Sequence, residues 1–335
     1  MNFDSPAAPA PVPPSHERLK FTGEGGEYFR IWIVNLALTI VTIGIYSAWA
    51  KVRRLQYFYR NTQLAGSGFD YHGKPSAILK GRIVTFGLFG LANAAMEFNP
   101  AVGGGLFLLI AVVLPWLLVR SLVFRMRNTS WRGLRFEFRG SVAEGYKVFL
   151  LWPLCAVLTL GLLVPFAHRQ LSAYLRNNVH FGGMRASLAA RPGEFYRIYF
   201  MAGLLIMTAP VVVLLLSLST ALGAGSVPPV EAIWLFLLVA VLFYVVMLSV
   251  SPYLIARVQN LTWNRTTLGP HRFRSELKPL RLIGVTLGNL LLTLFTLGLY
   301  RPFAAVRAAR CRIDAVTLLP GESLETFLGR RGEDM

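Results

Sequence analysis

The side chains that most often carry chemistry are few in this chain and do not converge. The five histidines are His16, His72, His168, His180 and His271, and no two share the i, i+4 spacing that sets a pair of imidazoles on one helix face for a metal. Cys155 lies in an apolar run and Cys311 in a basic one, which suggests neither a disulfide framework nor a metal site. No nucleophile elbow, phosphate-binding loop or dinucleotide fingerprint follows a strand pattern. Gly103-Gly104-Gly105 opens an apolar stretch with no strand before it, so it reads as close helix packing. The expectation is a non-enzymatic protein with no catalytic residues, no metal and no cofactor.

Two other sets of residues could engage a ligand. Asn35, Thr39 and Thr42 fall at i, i+4, i+7 on one helix face, and Asn289, Thr293 and Thr296 repeat the pattern. Hydrogen bonds between apolar helices, about 0.6 kcal/mol each, account for them plainly. The functional alternative is a polar pocket between pseudo-symmetric helices, suited to a channel or facilitative transporter. Ionisable groups deep in the apolar stretches are nearly absent, which argues against a proton-driven pump. The second set is cationic. Lys51, Arg53 and Arg54 follow Trp49 and precede Tyr57, Phe58 and Tyr59; Arg132, Arg135 and Arg139 share one alternating run; Arg307 ends a later helix. Cations mixed with amphipathic aromatics have the composition of an interfacial anchor. The sharper reading is contact with anionic lipid headgroups or a small anionic solute.

These groups must be positioned by membrane elements. The chain is 54% hydrophobic and 15% charged, against about 25% charged in soluble domains, and its mean hydropathy is +0.51. Lys and Arg number 34 against 16 Asp and Glu, for a net charge of +18. In so apolar a chain the cations belong outside the hydrocarbon. At an anionic cytoplasmic surface each contributes about 1 kcal/mol. The expected partners are therefore anionic membrane lipids and not nucleic acid. Seven apolar stretches, near 28–50, 82–98, 102–124, 146–168, 197–222, 232–256 and 280–304, approach the ~20 residues of a spanning helix. The predicted fold class is an all-α polytopic membrane protein of about seven hydrophobic helices, internally duplicated, with small β-hairpins at the membrane surface.

The duplication is legible residue by residue. Asn35, Thr39, Thr42, Gly44, Tyr46, Ala50 and Arg53 recur as Asn289, Thr293, Thr296, Gly298, Tyr300, Ala304 and Arg307. A middle copy supplies Thr159, Gly161, Ala167, Tyr174 and Asn178. Gly44, Gly161 and Gly298 are thus candidate helix breaks in three T-x-G stretches. A second element, Asn61 to Gly73, recurs at Asn128 to Gly140, and Asn260-Leu261-Thr262-Trp263 opens a looser third copy. Leu134, Phe136 and Phe138 alternate with Arg135, Glu137 and Arg139, the period of a half-buried strand. The resulting division is a disordered Pro/Ala-rich tail at 1–20, repeat one at 21–140, repeat two at 141–279, a third T-x-G copy at 280–320 and a polar tail at 321–335.

Charge poses a topological problem. Segments 51–82, 125–147, 169–197 and 257–281 each hold five to seven Lys or Arg, and all four therefore favour the cytoplasmic side. Two tight, cation-free connections, Glu97 to Pro100 and Gly223 to Glu231, make helical pairs that leave and return. The stretch at 146–168 is basic on both flanks. Either the T-x-G stretches enter the bilayer and turn back, or they span and the halves are inverted repeats. Any turned-back backbone needs cover from neighbouring helices.

The motifs F-T-G-E-G-G-E-Y-F-R-I-W at 21–32, T-I-G-I-Y-S-A-W-A-K-V-R at 42–53 and F-D-Y-H-G at 69–73 resemble the YjgN family of bacterial inner-membrane proteins, a family defined by a domain of unknown function. Ala48 stands where the family pattern has Pro, while Pro165 and Pro302 fill the equivalent places in the other copies. The resemblance implies a multi-pass protein of the bacterial inner membrane and brings no catalytic residues with it.

Overall fold

A computed structural model describes residues 16–221 and 229–321. The Pro/Ala-rich run at 1–15, most of the Gly223 to Glu231 connection and the tail at 322–335 lie outside the described residues.

Hairpins organise the fold. Four of them, β3–β4 (Thr62–Leu64, Ser67–Tyr71), β5–β6 (Thr129–Trp131, Leu134–Phe138), β7–β8 (Val179–Phe181, Met184–Leu188) and β9–β10 (Thr266–Leu268, His271–Ser275), span the same ten-residue length. Each has a two-residue loop. The pairs Leu64↔Ser67, Trp131↔Leu134 and Phe181↔Met184 leave Ala65-Gly66, Arg132-Gly133 and Gly182-Gly183 at the tips. Both residues of each of these three tips take positive φ, the requirement of the turn whose twist matches a hairpin. Neighbouring hairpins then pair edge to edge, β4 with β5, β6 with β7 and β8 with β9.

The chain's two ends supply the last unit. In β11 (Val316–Leu319), one edge pairs with β10 and the other with β1 (Glu17–Arg18). Leu19 N donates to Val316 O at 2.9 Å, and β2 (Lys20–Phe21) pairs with β3. Since β1 and β2 are halves of one extended run, the sheet returns on itself. Around its lower rim one bond recurs at every junction: Thr22 N to Asn61 O, His72 N to Asn128 O, Arg139 N to Asn178 O, Ala189 N to Arg265 O and Glu276 N to Ala315 O, all at 2.8–3.0 Å. In all five units the next helix starts four residues beyond the strand. The interior is plugged by Leu64, Trp131, Phe181 and Leu318, packed with Leu19, Phe69, Phe136, Leu268 and Phe273.

The predicted fold class therefore needs correction on two points. The hairpins are not separate surface ornaments but one antiparallel sheet of eleven strands. An isolated hairpin is marginal in water, and pairing every edge removes the exposed donors and acceptors an open sheet would present. Glu17, Arg18 and Lys20, assigned to the disordered tail, are strand residues. Asn260 to Trp263 does not open a hairpin either. It is the last turn of a helix, and the hairpin begins at Thr266.

The second correction concerns the seven helices. Among the described residues four are long and apolar enough to cross a membrane: α3 (Pro75–Phe98), α4 (Pro100–Arg127), α8 (Pro192–Ala221) and α9 (Pro229–Asn264). The three T-x-G stretches are pairs of short helices: α1 (Gly25–Val41) with α2 (Ser47–Arg60); α5 (Val142–Tyr146), a π-helical turn (Lys147–Leu151) and α6 (Trp152–Leu158) with α7 (Val164–Asn177); α10 (Pro279–Phe295) with α11 (Arg301–Ile313). Each pair begins and ends at the same rim of the sheet, so none of the three crosses. At 17 residues, α1 is about 25 Å long, short of the ~30 Å hydrocarbon core.

The T-x-G sequence explains the reversal. Gly44, Gly161 and Gly298 have φ of 88°, 90° and 93°, and each follows another positive-φ residue, Ile43, Leu160 or Leu297. Gly44 N, Gly161 N and Gly298 N donate back to Thr39 O, Ala156 O and Thr293 O, each at 2.8 Å, a helix-ending pattern that a left-handed residue permits. The threonine joins the two helices. Thr42 Oγ1 donates to Leu38 O and accepts from Tyr46 N, Thr296 Oγ1 donates to Leu292 O and accepts from Tyr300 N, and Thr159 does the same between Cys155 O and Leu163 N. Ile43, Leu160 and Leu297 are 94–96% exposed. Apolar tips so bare are costly in water and favoured in hydrocarbon.

Candidate basic groove

The first groove of interest lies where α2 meets the α3–α4 hairpin. Lys51 projects from α2, Arg82 from α3, and Arg120 and Arg125 from α4, around an open space of about 670 Å³. Leu55, Ile78, Phe86, Leu117 and Phe124 form its apolar walls, and no Asp or Glu lines it. Arg82 donates to Ser47 Oγ, Arg125 Nη2 to Tyr59 OH at 3.4 Å, and Arg120 stacks 5.6 Å over Trp116. Partial burial, followed by the like charges of Arg82 and Arg125, holds the Lys51 ammonium below its usual range. Like charges gathered without a carboxylate repel one another, so an anion among them is favoured.

Helix geometry places these cations. Arg82 is seven residues into α3 and Arg120 seven from the end of α4, so both stand about 10 Å below the sheet rim. The α3–α4 hairpin is fixed at its far end by Asn99, whose side chain accepts from Ala101 N and Val102 N at 3.0 and 3.4 Å. Gly103 is the tight point of that crossing.

The other cations singled out by the sequence go elsewhere. Arg53 lies over Tyr46 and lines a separate groove with Glu27, Arg30, Tyr57 and Arg60. Arg54 lies over Phe58, and Arg307 donates to Tyr300 OH at 3.0 Å. At a hairpin tip, Arg132 donates to Ser67 Oγ and Ala65 O. Arg135 is exposed on β6, and Arg139 pairs with Glu137 at 2.7 Å. Of the seven, Lys51 alone lines the basic groove. Its partners Arg82 and Arg125 sit in the basic segments. Arg120 lies inside an apolar stretch, and its i+4 spacing from Trp116 was the available signal.

The polar face is divided too. Asn35 and Asn289 are buried, at 6% and 8% exposure. Asn289 Nδ2 donates to Ala304 O at 3.1 Å, while Asn35 Oδ1 and Asn289 Oδ1 meet no partner. Thr39 Oγ1 donates to Asn35 O at 2.6 Å within its own helix. The second inner groove, lined by Glu144, Lys147, Arg169, Tyr174 and Arg185, mirrors the one at Glu27. Tyr57 OH accepts from Glu24 N and bonds Glu24 O and Glu27 Oε2 at 2.8–3.0 Å, and Tyr174 OH donates to Ser141 O at 2.9 Å. These tyrosines tie the start of each broken element to its return helix. Among the described residues no three His, Cys, Asp or Glu side chains are grouped to hold a metal.

Known proteins place this architecture in context. Residues 16–335 match a family described as "Bacterial protein of unknown function (DUF898)". The inner membrane protein YjgN of Salmonella typhimurium is 31% identical over 147 residues, 44% of this chain and 37% of that protein. Two Escherichia coli proteins of the same name are 29% and 30% identical over 167 and 172 residues, half of this chain and 42% of theirs. The matched region thus spans about two-fifths of the relatives' length. No solved structure matches.

Proposed function

This chain belongs to the DUF898 family and is a multi-pass protein of the bacterial inner membrane; from that premise we propose that it is non-enzymatic and engages anionic lipid headgroups at the basic groove between α2, α3 and α4. The carrying observation is the set Lys51, Arg82, Arg120 and Arg125 around apolar walls with no carboxylate. Basic pockets between membrane helices near the cytoplasmic surface suit phosphate-bearing headgroups, and the walls suit the acyl region below. The positive-inside bias puts the closed sheet in the cytoplasm. A channel or facilitative transporter built on the Asn/Thr faces has less support, because Thr39, Thr42 and Thr296 spend their donors on carbonyls of their own helices.

The test is lipid retention. Purified protein is titrated with phosphatidylglycerol or cardiolipin in detergent and read by native mass spectrometry. The pair Lys51→Gln and Arg82→Gln should weaken binding of one anionic lipid at least tenfold, with phosphatidylcholine unchanged. Charge reversal at Arg135 and Arg139, on the outside of the sheet, should leave it unaltered. Equal occupancy in the Lys51/Arg82 variant and the wild type sinks the proposal.

A further inference from the structure

The duplicated half contains a second groove in the corresponding place, between α7, α8 and α9, with different chemistry. Lys51 is four residues into α2 and His168 four into α7; Arg82 is seven into α3 and Tyr199 seven into α8. The cation pair of the first groove is thus replaced by a hydrogen-bonded one, His168 Nδ1 to Tyr199 OH at 2.8 Å. Positive charge reappears nearer the sheet. Arg176 of α7 and Arg312 of α11 line the space, about 610 Å³, together with Gln259 and Thr262, and no Asp or Glu does. Gln259 Oε1 accepts from Arg312 Nε at 2.9 Å and its Nε2 donates to Arg312 O at 2.8 Å, which orients that guanidinium. Half-buried Arg176 has no hydrogen-bond acceptor and no carboxylate partner among the described residues. Burial pushes its guanidinium down to about 10, so it stays charged at neutral pH.

The rest of the groove is long and apolar. Met247, Val250, Leu254 and Val258 follow one face of α9, and Ile206 of α8 closes the far end. From Met247 to Trp263 the face runs about 24 Å along the helix axis, with both arginines at the sheet end and hydrocarbon side chains at the other. A free anion would use only the first part of such a groove. A phospholipid uses both, its phosphate taking paired donors from guanidinium and its acyl chain lying along α9.

We propose that the α7–α8–α9 groove is a second lipid site, which holds a phospholipid with a single phosphodiester at Arg176 and Arg312 and one acyl chain against Met247, Val250 and Leu254. It is independent of the first groove and differs from it in charge. Lipid-depleted full-length protein is titrated with phosphatidylglycerol, phosphatidylcholine or inorganic phosphate, and bound lipid and melting temperature are measured in detergent. Wild type should hold two phosphatidylglycerols, one of which is lost by Arg176→Gln with Arg312→Gln and the other by Lys51→Gln with Arg82→Gln.

Folding is controlled by a second variant. With no lipid, Arg176→Leu should melt no lower than wild type, because an unpaired half-buried charge contributes no stability. Added phosphatidylglycerol should raise the melting temperature of wild type more than that of Arg176→Leu, which keeps only the first groove, since a ligand stabilises only the state that binds it. Unchanged lipid retention in the Arg176/Arg312 variant overturns this site and leaves the first groove standing. Loss of lipid only on Lys51/Arg82 substitution does the same. Equal stabilisation by inorganic phosphate overturns the choice of lipid, and equal stabilisation by phosphatidylcholine overturns the role of charge.

Discussion

Gly103→Ala and Gly104→Ala add the same methyl group to adjacent positions of α4 and should have opposite effects. At Gly103 the new Cβ falls 2.5 Å from Met96 N and 2.6 Å from Met96 Cα. Favourable carbon contacts lie near 3.5–4.0 Å, so α3 and α4 must separate by roughly 1 Å. The obstacle is backbone and cannot rotate away, and the Asn99 bonds at the turn resist sliding. Overpacking of this kind costs about 1–3 kcal/mol, offset by about 1 kcal/mol for replacing a helical glycine with alanine. At Gly104 nothing lies within 4 Å, so only the gain applies. The two variants should therefore differ by about 1–3 kcal/mol, with Gly103→Ala the weaker. Reversible unfolding in mixed micelles, followed by circular dichroism, measures the difference. If Gly103→Ala is as stable as Gly104→Ala, the close crossing of α3 and α4 is wrong.

Two further outcomes test the sheet. Single cysteines at Asp70, Glu137, Arg185 and Pro270, in a background with Cys155 and Cys311 replaced, should all label from the cytoplasmic face, because all four belong to one closed sheet; a position that labels from the other face refutes the shared side. The Arg139 hydrogen bond holds the Glu137 carboxyl below the usual range, so its contribution is present above the unfolded value of about 4.3 and is lost as pH falls through the folded value. With side chains 63% and 52% exposed, the pair is worth at most about 1 kcal/mol; a melting difference between wild type and Glu137→Gln that grows on acidification contradicts the assignment.

Composition was enough to place this chain in the membrane, and the repeated residues marked its units. The threonine and glycine of each T-x-G stretch were visible because a helix reversal needs a left-handed residue and a hydroxyl that can bond both helices, and these are local demands. The alternation from Leu134 to Arg139 announced a strand for the same reason. Hydrophobic length alone, however, cannot separate a span from a pair of short helices that returns, since both need some twenty apolar residues. The hairpin around Asn178 to Leu188 was expected from the repeat and not from its own pattern, because its strands carry one charge, Arg185, where those of its neighbour alternate.

What tertiary structure decided is non-local. The sheet closes only when Glu17 to Phe21 meets Val316 to Leu319 and Thr62 to Leu64, strands from opposite ends of the chain whose few residues carry no signal of their partners. That closure puts the start of each helical element and its return on one rim, and so fixes which apolar stretches cross. It also gathers Lys51, Arg82, Arg120 and Arg125 from three helices. The sequence showed cations spread along the chain; their grouping depends on which helices pack together.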